Sequence, residues 1–128
     1  MEIFNIIILS LSSLLLTFVG IMRLSNPQKT YLNSSGISLA DDVNLLNEMR
    51  GVSAVMLCAG LIISLGIFFP AMRLTSFILA SLILLGFGIG RLISTVVDGK
   101  PNKQIRQGII SEFVLGGANI FALINSLA

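Results

Sequence analysis

The stretch GVSAVMLCAGLIISLGIFFPAM, residues 51–72, runs for twenty-two positions between Arg50 and Arg73 without a charged side chain. As a helix rising 1.5 Å per residue it extends about 33 Å, enough to cross the hydrocarbon core of a bilayer. Near its end, Phe69-Pro70-Ala71 marks a tight break, because proline cannot continue a helix. Beyond Arg73, seventeen uncharged residues run from Leu74 to Gly90, and the apolar character resumes past Arg91 through Val97. In the other direction, twenty uncharged residues separate Glu2 from Arg23. Their n-region carries Glu2 rather than Lys or Arg, and no A-x-A-like cleavage site precedes Arg23, so the segment reads as a retained first span. The last stretch, from about Ile105 to Ala128, is apolar except for Glu112 and a few small polar residues. Spans are therefore predicted at about 3–23, 48–69, 72–97 and 105–127. They form one all-α domain, residues 1–128, arranged as an up-down-up-down four-helix transmembrane bundle.

Composition agrees with this reading. Of 128 residues, 55% are hydrophobic and 11% charged, and the mean hydropathy is +0.97. An average soluble domain is about 25% charged. A chain this short leaves much of its surface facing its solvent. Eight basic and six acidic side chains cannot cover that surface in water, so the surrounding medium is the lipid bilayer. A soluble globular enzyme, a disordered regulator and a nucleic-acid-binding module are excluded, and a formal charge of +2 gives no reason to expect a nucleic-acid partner. The absence of histidine removes His-ligated haem, His-bound zinc and imidazole proton relays. The single cysteine, Cys58, forms no internal disulfide and reads as a small core residue. No metal or cofactor is expected. Trp is absent and Tyr31 is the only tyrosine, so the usual interfacial aromatic belt is nearly missing.

The long connection, about residues 25–38, opens on the turn-forming Asn26-Pro27 and continues through Asn33-Ser34-Ser35-Gly36. Ser38-Leu39-Ala40-Asp41 resembles a capping box, which places the start of the second helix near Leu39, with Asp41 and Asp42 in its first turn. That helix enters the membrane near Glu48, with Leu45, Leu46, Met49 and Val52 as its buried stripe. Asp98-Gly99-Lys100-Pro101-Asn102 is a strong turn signal. Arg23, Lys29, Arg50, Lys100, Lys103 and Arg106 fall on the side of the first and third connections, and Arg73 alone on the other. The positive-inside rule then puts the first side in the cytoplasm and both termini outside.

Arg91 and Glu112 fall inside predicted spans, where an unpaired charge costs several kcal/mol. Arg91 lies ten residues before Pro101 and Glu112 ten after Asn102, so an antiparallel hairpin brings them to similar depth, roughly 10 Å below the turn. Opposite charges at matched depth imply a pair. Gly86 and Gly90 form a small-xxx-small pattern, and Gly108, Glu112 and Gly116 share one helix face, so close packing is expected at this level. Arg91, Thr95 and Asp98 share a face leading toward the turn, while Asn44, Asn47, Glu48 and Arg50 gather at the same membrane side. One half of the bundle thus holds Arg23, Glu48, Arg50, Arg91, Asp98 and Glu112, and the other holds little charge beyond Glu2 and Arg73.

The pattern Asn47-Glu48-Met49-Arg50-Gly51, then Gly90-Arg91-x-x-Ser94-x-x-x-Asp98-Gly99-x-Pro101, then Glu112, resembles a bacterial family of small four-span membrane proteins known as a domain of unknown function. Arg23-x-x-Asn26-Pro27 fits the same pattern. The resemblance covers nearly the whole chain and implies the fold without an activity. A looser, architectural similarity is to the DoxX-like four-helix proteins, some of which serve quinone-linked oxidoreductases. Small multidrug exporters differ, since their essential glutamate lies in a first span that here carries no charge after Glu2.

Three function classes stand side by side. The leading expectation is a protein of the bacterial inner membrane that binds a small molecule or lipid in a polar pocket on the cytoplasmic side. Glu48, Arg50, Arg91 and Glu112 build that pocket, with Asn47 and Asp98 beside them, and a homo-oligomer or a membrane partner subunit fits the same reading. A membrane-embedded oxidoreductase or isomerase subunit would use Glu112 as catalytic acid or base. A proton-coupled small transporter would use Glu112 to carry the proton. Against all three stands a neutral internal network that only fixes helix register.

Overall fold

The computed structural model describes residues 1–128. Helices α1 (Glu2–Ser25), α2 (Pro27–Ser35), α3 (Val43–Phe68), α4 (Arg73–Asp98) and α5 (Lys103–Leu127) follow one another, with a 3-10 turn at Pro70–Met72 before α4. There is no strand, and α1, α3, α4 and α5 are each long and apolar enough to cross a membrane.

Local chemistry sets the helix ends. Phe69 adopts extended backbone (φ −119°, ψ 107°), the region imposed on a residue before proline, and so ends α3. At the start of α3 the Asp42 carboxylate accepts the Asn44 N–H at 2.9 Å. This cap places the first helical residue at Val43, four positions later than the expected start near Leu39; the Ser38–Asp41 box does not form. Asn102 caps α5 by accepting the Ile105 N–H at 2.9 Å.

The first connection is not an irregular turn. It holds α2, capped by the Asn26 side chain accepting from the Lys29 N–H at 3.2 Å, with Pro27 at the first helical position. Gly36, with φ 68°, closes it in the left-handed conformation that a side chain disfavours. Pro27, Tyr31 and Ser35, spaced by four, are its buried face.

The four spans pack antiparallel, in the ring order α1, α3, α4, α5. Gly60 of α3 lies against Thr17 of α1, so the two backbones approach closely. Gly116 of α5 lies against Leu85 of α4, and Gly88 of α4 against the Phe113 ring. The seam between α1 and α5 is the least packed of the ring. Near the termini it is held by an edge-to-face pair, Phe4 with Phe121, and by Asn119 Nδ2 donating to Ser12 Oγ at 2.9 Å.

The interior is partly polar and the exterior apolar. Leu9, Leu16, Ile63, Phe77 and Leu84 are buried beside Ser12, Ser53, Ser76 and Asn119, while Ile3, Leu14, Leu82, Val114 and Phe121 face outward. Lipid solvates that outer surface, and inside it most of the serine hydroxyls find backbone partners, the Ser76 hydroxyl being an exception. Ser12 and Ser53 donate to carbonyls four residues earlier, at 2.8 and 2.7 Å.

Three expectations need correction. Cys58 lies on the outer face of α3, not in the core. Leu45, Leu46 and Met49 are only half-buried and Val52 is exposed; the buried stripe of α3 is Ser53, Met56, Gly60 and Ile63. The reason is reach: Arg50 contacts the carbonyl of Leu24, so the turns before it overhang the end of α1. Gly86 and Gly90 meet nothing, because α4 turns Leu84 and Gly88 inward and leaves those two glycines outside.

Candidate functional site

The last turns of α1 carry Arg23 into the bundle, where it is 8% exposed. Its guanidinium lies over the Tyr31 ring, 4.4 Å from the centroid, and its Nη1 stands 3.9 Å from the Met56 sulfur. The Nε has no partner. Neither the ring nor the thioether neutralises the charge, although cation–π contact offsets part of its desolvation.

Arg91 and Glu112 meet as their matched distances from Pro101-Asn102 require, with Nη1 and Oε1 3.3 Å apart. The contact pairs the charges without a well-aligned hydrogen bond, and the buried Glu112 Oε1 has no hydrogen-bond partner. Gly108, one turn before Glu112, makes room: a Cβ there would stand 3.0 Å from Arg91 Nη1. Arg23 is within electrostatic reach of both residues. Two arginines therefore stand near one carboxylate at this end of the bundle, and only Arg91 is in contact with it.

Two cavities adjoin this trio. The larger, about 460 Å³, lies between α1, α2 and α5, with Arg91 of α4 on its inner wall. Arg23, Lys29 and Arg91 line it together with Asn33 and Gln104, and no acidic residue does. Phe18, Val19, Met22 and Ile105 supply its apolar wall. The smaller, about 210 Å³, shares Arg91 and is lined by Tyr31, Ser94 and Thr95. Over both, α2 is tied down at several points. Thr30 donates to the Met22 carbonyl at 2.8 Å, Asn102 Nδ2 to the Ser35 carbonyl at 2.7 Å, and Gln104 Nε2 to the Asn33 carbonyl at 3.3 Å.

Of the residues singled out in the sequence, the structure brings together Arg91 and Glu112. It does not bring the other four to them. Asn47 and Glu48 are exposed on the overhanging start of α3 and line neither cavity. Arg50 is exposed and bonds to the Leu24 carbonyl. Asp98, also exposed, accepts from Ser94 Oγ at 2.8 Å. Glu112 itself stands behind Arg91 and lines neither cavity. In the sequence Arg23 reads as the end of a span rather than as a central residue, and Lys29, Tyr31 and Asn33 read only as parts of a connection. The signal available was Asn26-Pro27 with Gly36 nine residues later, a helix start and stop in the right order. At the opposite end the charges are few: Arg73 pairs with Glu2 at 3.6 Å and its Nε donates to the Gly66 carbonyl at 3.1 Å.

No curated protein and no solved structure matches this chain. A family model does, over residues 4–123, and it takes in every element from α1 to the last turns of α5. The chain therefore belongs to the family described as a domain of unknown function, DUF4345, and is a small protein with four helices long and apolar enough to cross a membrane.

Proposed function

We propose that the protein binds a small molecule or lipid in the cavity between α1, α2 and α5. The observation that carries this reading is Arg23: a largely buried arginine with no carboxylate in contact, lining a cavity of about 460 Å³. That volume is in the range of small-molecule sites, which combine an apolar wall with a few convergent polar groups. A network serving only helix register would leave no reason for an unneutralised arginine beside an open space. Lys and Arg counts orient the cavity toward the cytoplasm, with both termini outside, in a bacterial inner membrane. Assigning Glu112 to acid–base chemistry or proton carriage would require a path to its carboxylate, and Arg91 stands between it and the cavity.

The test is purification in mild non-ionic detergent followed by mass spectrometry of what travels with the protein. A molecule in about one-to-one ratio, lost when Arg23 is replaced by Gln, is the expected result. Finding none across several detergents and after incubation with lipid extracts would overturn the reading.

A further inference from the structure

The charges around the cavity do not balance, and the imbalance identifies what would fill it. The chain holds two ion pairs, Arg73 with Glu2 and Arg91 with Glu112. Arg91 is thus neutralised from behind, whereas Arg23 has a sulfur, an aromatic face and no anion in contact, Glu112 being paired with Arg91. Removing an arginine from water without a counter-charge costs several kcal/mol, in a membrane as in a protein core. Lys29 and Asn33 line the same space, and neither side chain is committed to a protein partner. The polar end of the cavity therefore offers donors and positive charge, with no carboxylate to repel an anion.

The other end differs in kind. Phe18 and Met22 of α1 line the cavity and are also exposed on the outer surface, 65% and 44% respectively. Ile105 and Gly108 form the facing wall on α5. The fastenings of the α1–α5 seam, Ser12 with Asn119 and Phe4 with Phe121, all lie nearer the termini. Above them no hydrogen bond or ion pair joins α1 to α5, and the outward exposure of Phe18 and Met22 puts the apolar end of the cavity on the side that faces lipid.

Resting on the binding role assigned above, we infer that the ligand is a single-headed anionic amphiphile, a carboxylate or phosphate on an alkyl chain. Its head is held against Arg23, with Lys29 and Asn33 beside it, and its chain leaves through the gap between α1 and α5. An inorganic anion would satisfy Arg23 alone and a neutral lipid would satisfy the walls alone; only an amphiphile with an acidic head meets both.

The absence of tryptophan makes a direct test practical. Leu15→Trp puts a single fluorophore beside the gap, outside the cavity lining. Leu61→Trp puts one at matched depth on the outer face of α3, since neighbouring Gly60 packs on Thr17. Each variant is reconstituted in phosphatidylcholine vesicles and titrated with amphiphiles brominated near the chain end, carrying a phosphate, a carboxylate, a maltoside or a trimethylammonium head. The anionic probes are expected to quench the tryptophan at 15 at concentrations about tenfold below those needed at 61, a difference of about 1.4 kcal/mol. The maltoside and the cation should quench both alike. Adding Arg23→Gln should abolish the preference, and Arg23→Lys, which keeps the charge, should retain part of it. If Arg23→Gln fails to fold by gel filtration, the head-group comparison in the otherwise native chain decides. Equal preference for anionic and cationic heads at position 15 would overturn the inference while leaving a binding cavity. Displacement of the anionic probe by millimolar inorganic phosphate would show that the head alone is bound, and would overturn the amphiphile. No preference for any probe, together with no co-purifying molecule, would remove both the inference and the binding role.

Discussion

Arg91 and Glu112 are joined by geometry that a single hairpin supplies, which is why their pairing could be read by counting outward from Pro101-Asn102. Arg23 gave no such arithmetic. Its burial depends on Tyr31, eight residues on, being carried back over it by α2, and on Met56 reaching it from α3. Replacing either Arg91 or Glu112 by Ala leaves the other charge without its partner. Each single change is expected to cost roughly 1–3 kcal/mol, below the range for fully buried pairs because the Arg91 side chain stays 29% exposed. The double variant should cost less than the two singles summed, by at least about 1 kcal/mol. Unfolding titrations in mixed micelles check this, and additive losses would mean that the 3.3 Å contact contributes little. Asn119 is a second residue that hydropathy hid, since one amide in an apolar stretch barely alters the average. Asn119→Leu removes its bond to Ser12 and should cost about 1 kcal/mol, the usual scale for polar contacts between membrane helices.

The long elements were legible because lipid imposes a minimum length on an uncharged run, and the gaps between charges measure it directly. The short one was not. A nine-residue helix of low apolar content has no hydropathy signal, and it is held by its caps and by fastenings from α1 and the α4–α5 turn. Gly36→Ala places a Cβ at φ 68° and against the Gln104 side chain, so it should weaken α2 by about 1 kcal/mol or more. Hydrogen exchange should then quicken across residues 27–35 while the four spans keep their protection; unchanged exchange would mean that the cap is not what holds α2. Glycine spacing misled for a related reason: a repeat of four marks a face but not which way it turns. Gly60→Leu should therefore disrupt the α1–α3 contact, and Gly86→Leu, which points into open surroundings, should leave thermal stability within about 0.5 kcal/mol.

At the scale of the molecule, topology was legible from alternating charge and hydropathy, whereas the unequal packing of the ring was not, because the α1–α5 seam joins residues a hundred positions apart. Cysteine accessibility checks the arrangement. In a Cys58→Ser background, Ala71→Cys and Lys100→Cys should react with a membrane-impermeant maleimide from opposite sides of the vesicle. In the unaltered chain Cys58, near the middle of α3, should react only with a lipid-soluble reagent. Labelling of both introduced cysteines from one side would refute the four-span arrangement. The single carboxylate near these two arginines has a further consequence for how the chain is made. Glu112 belongs to the fourth span, so during synthesis Arg23 and Arg91 wait in the bilayer with no acid between them until α5 arrives. A chain cut short after Pro101 is permanently in that state. In pulse-chase measurements it should be degraded faster than the full chain, and Arg23→Leu with Arg91→Leu should lengthen its life. The arrival of one glutamate is thus what lets Arg91 settle among the four spans, a checkpoint of assembly written in charge.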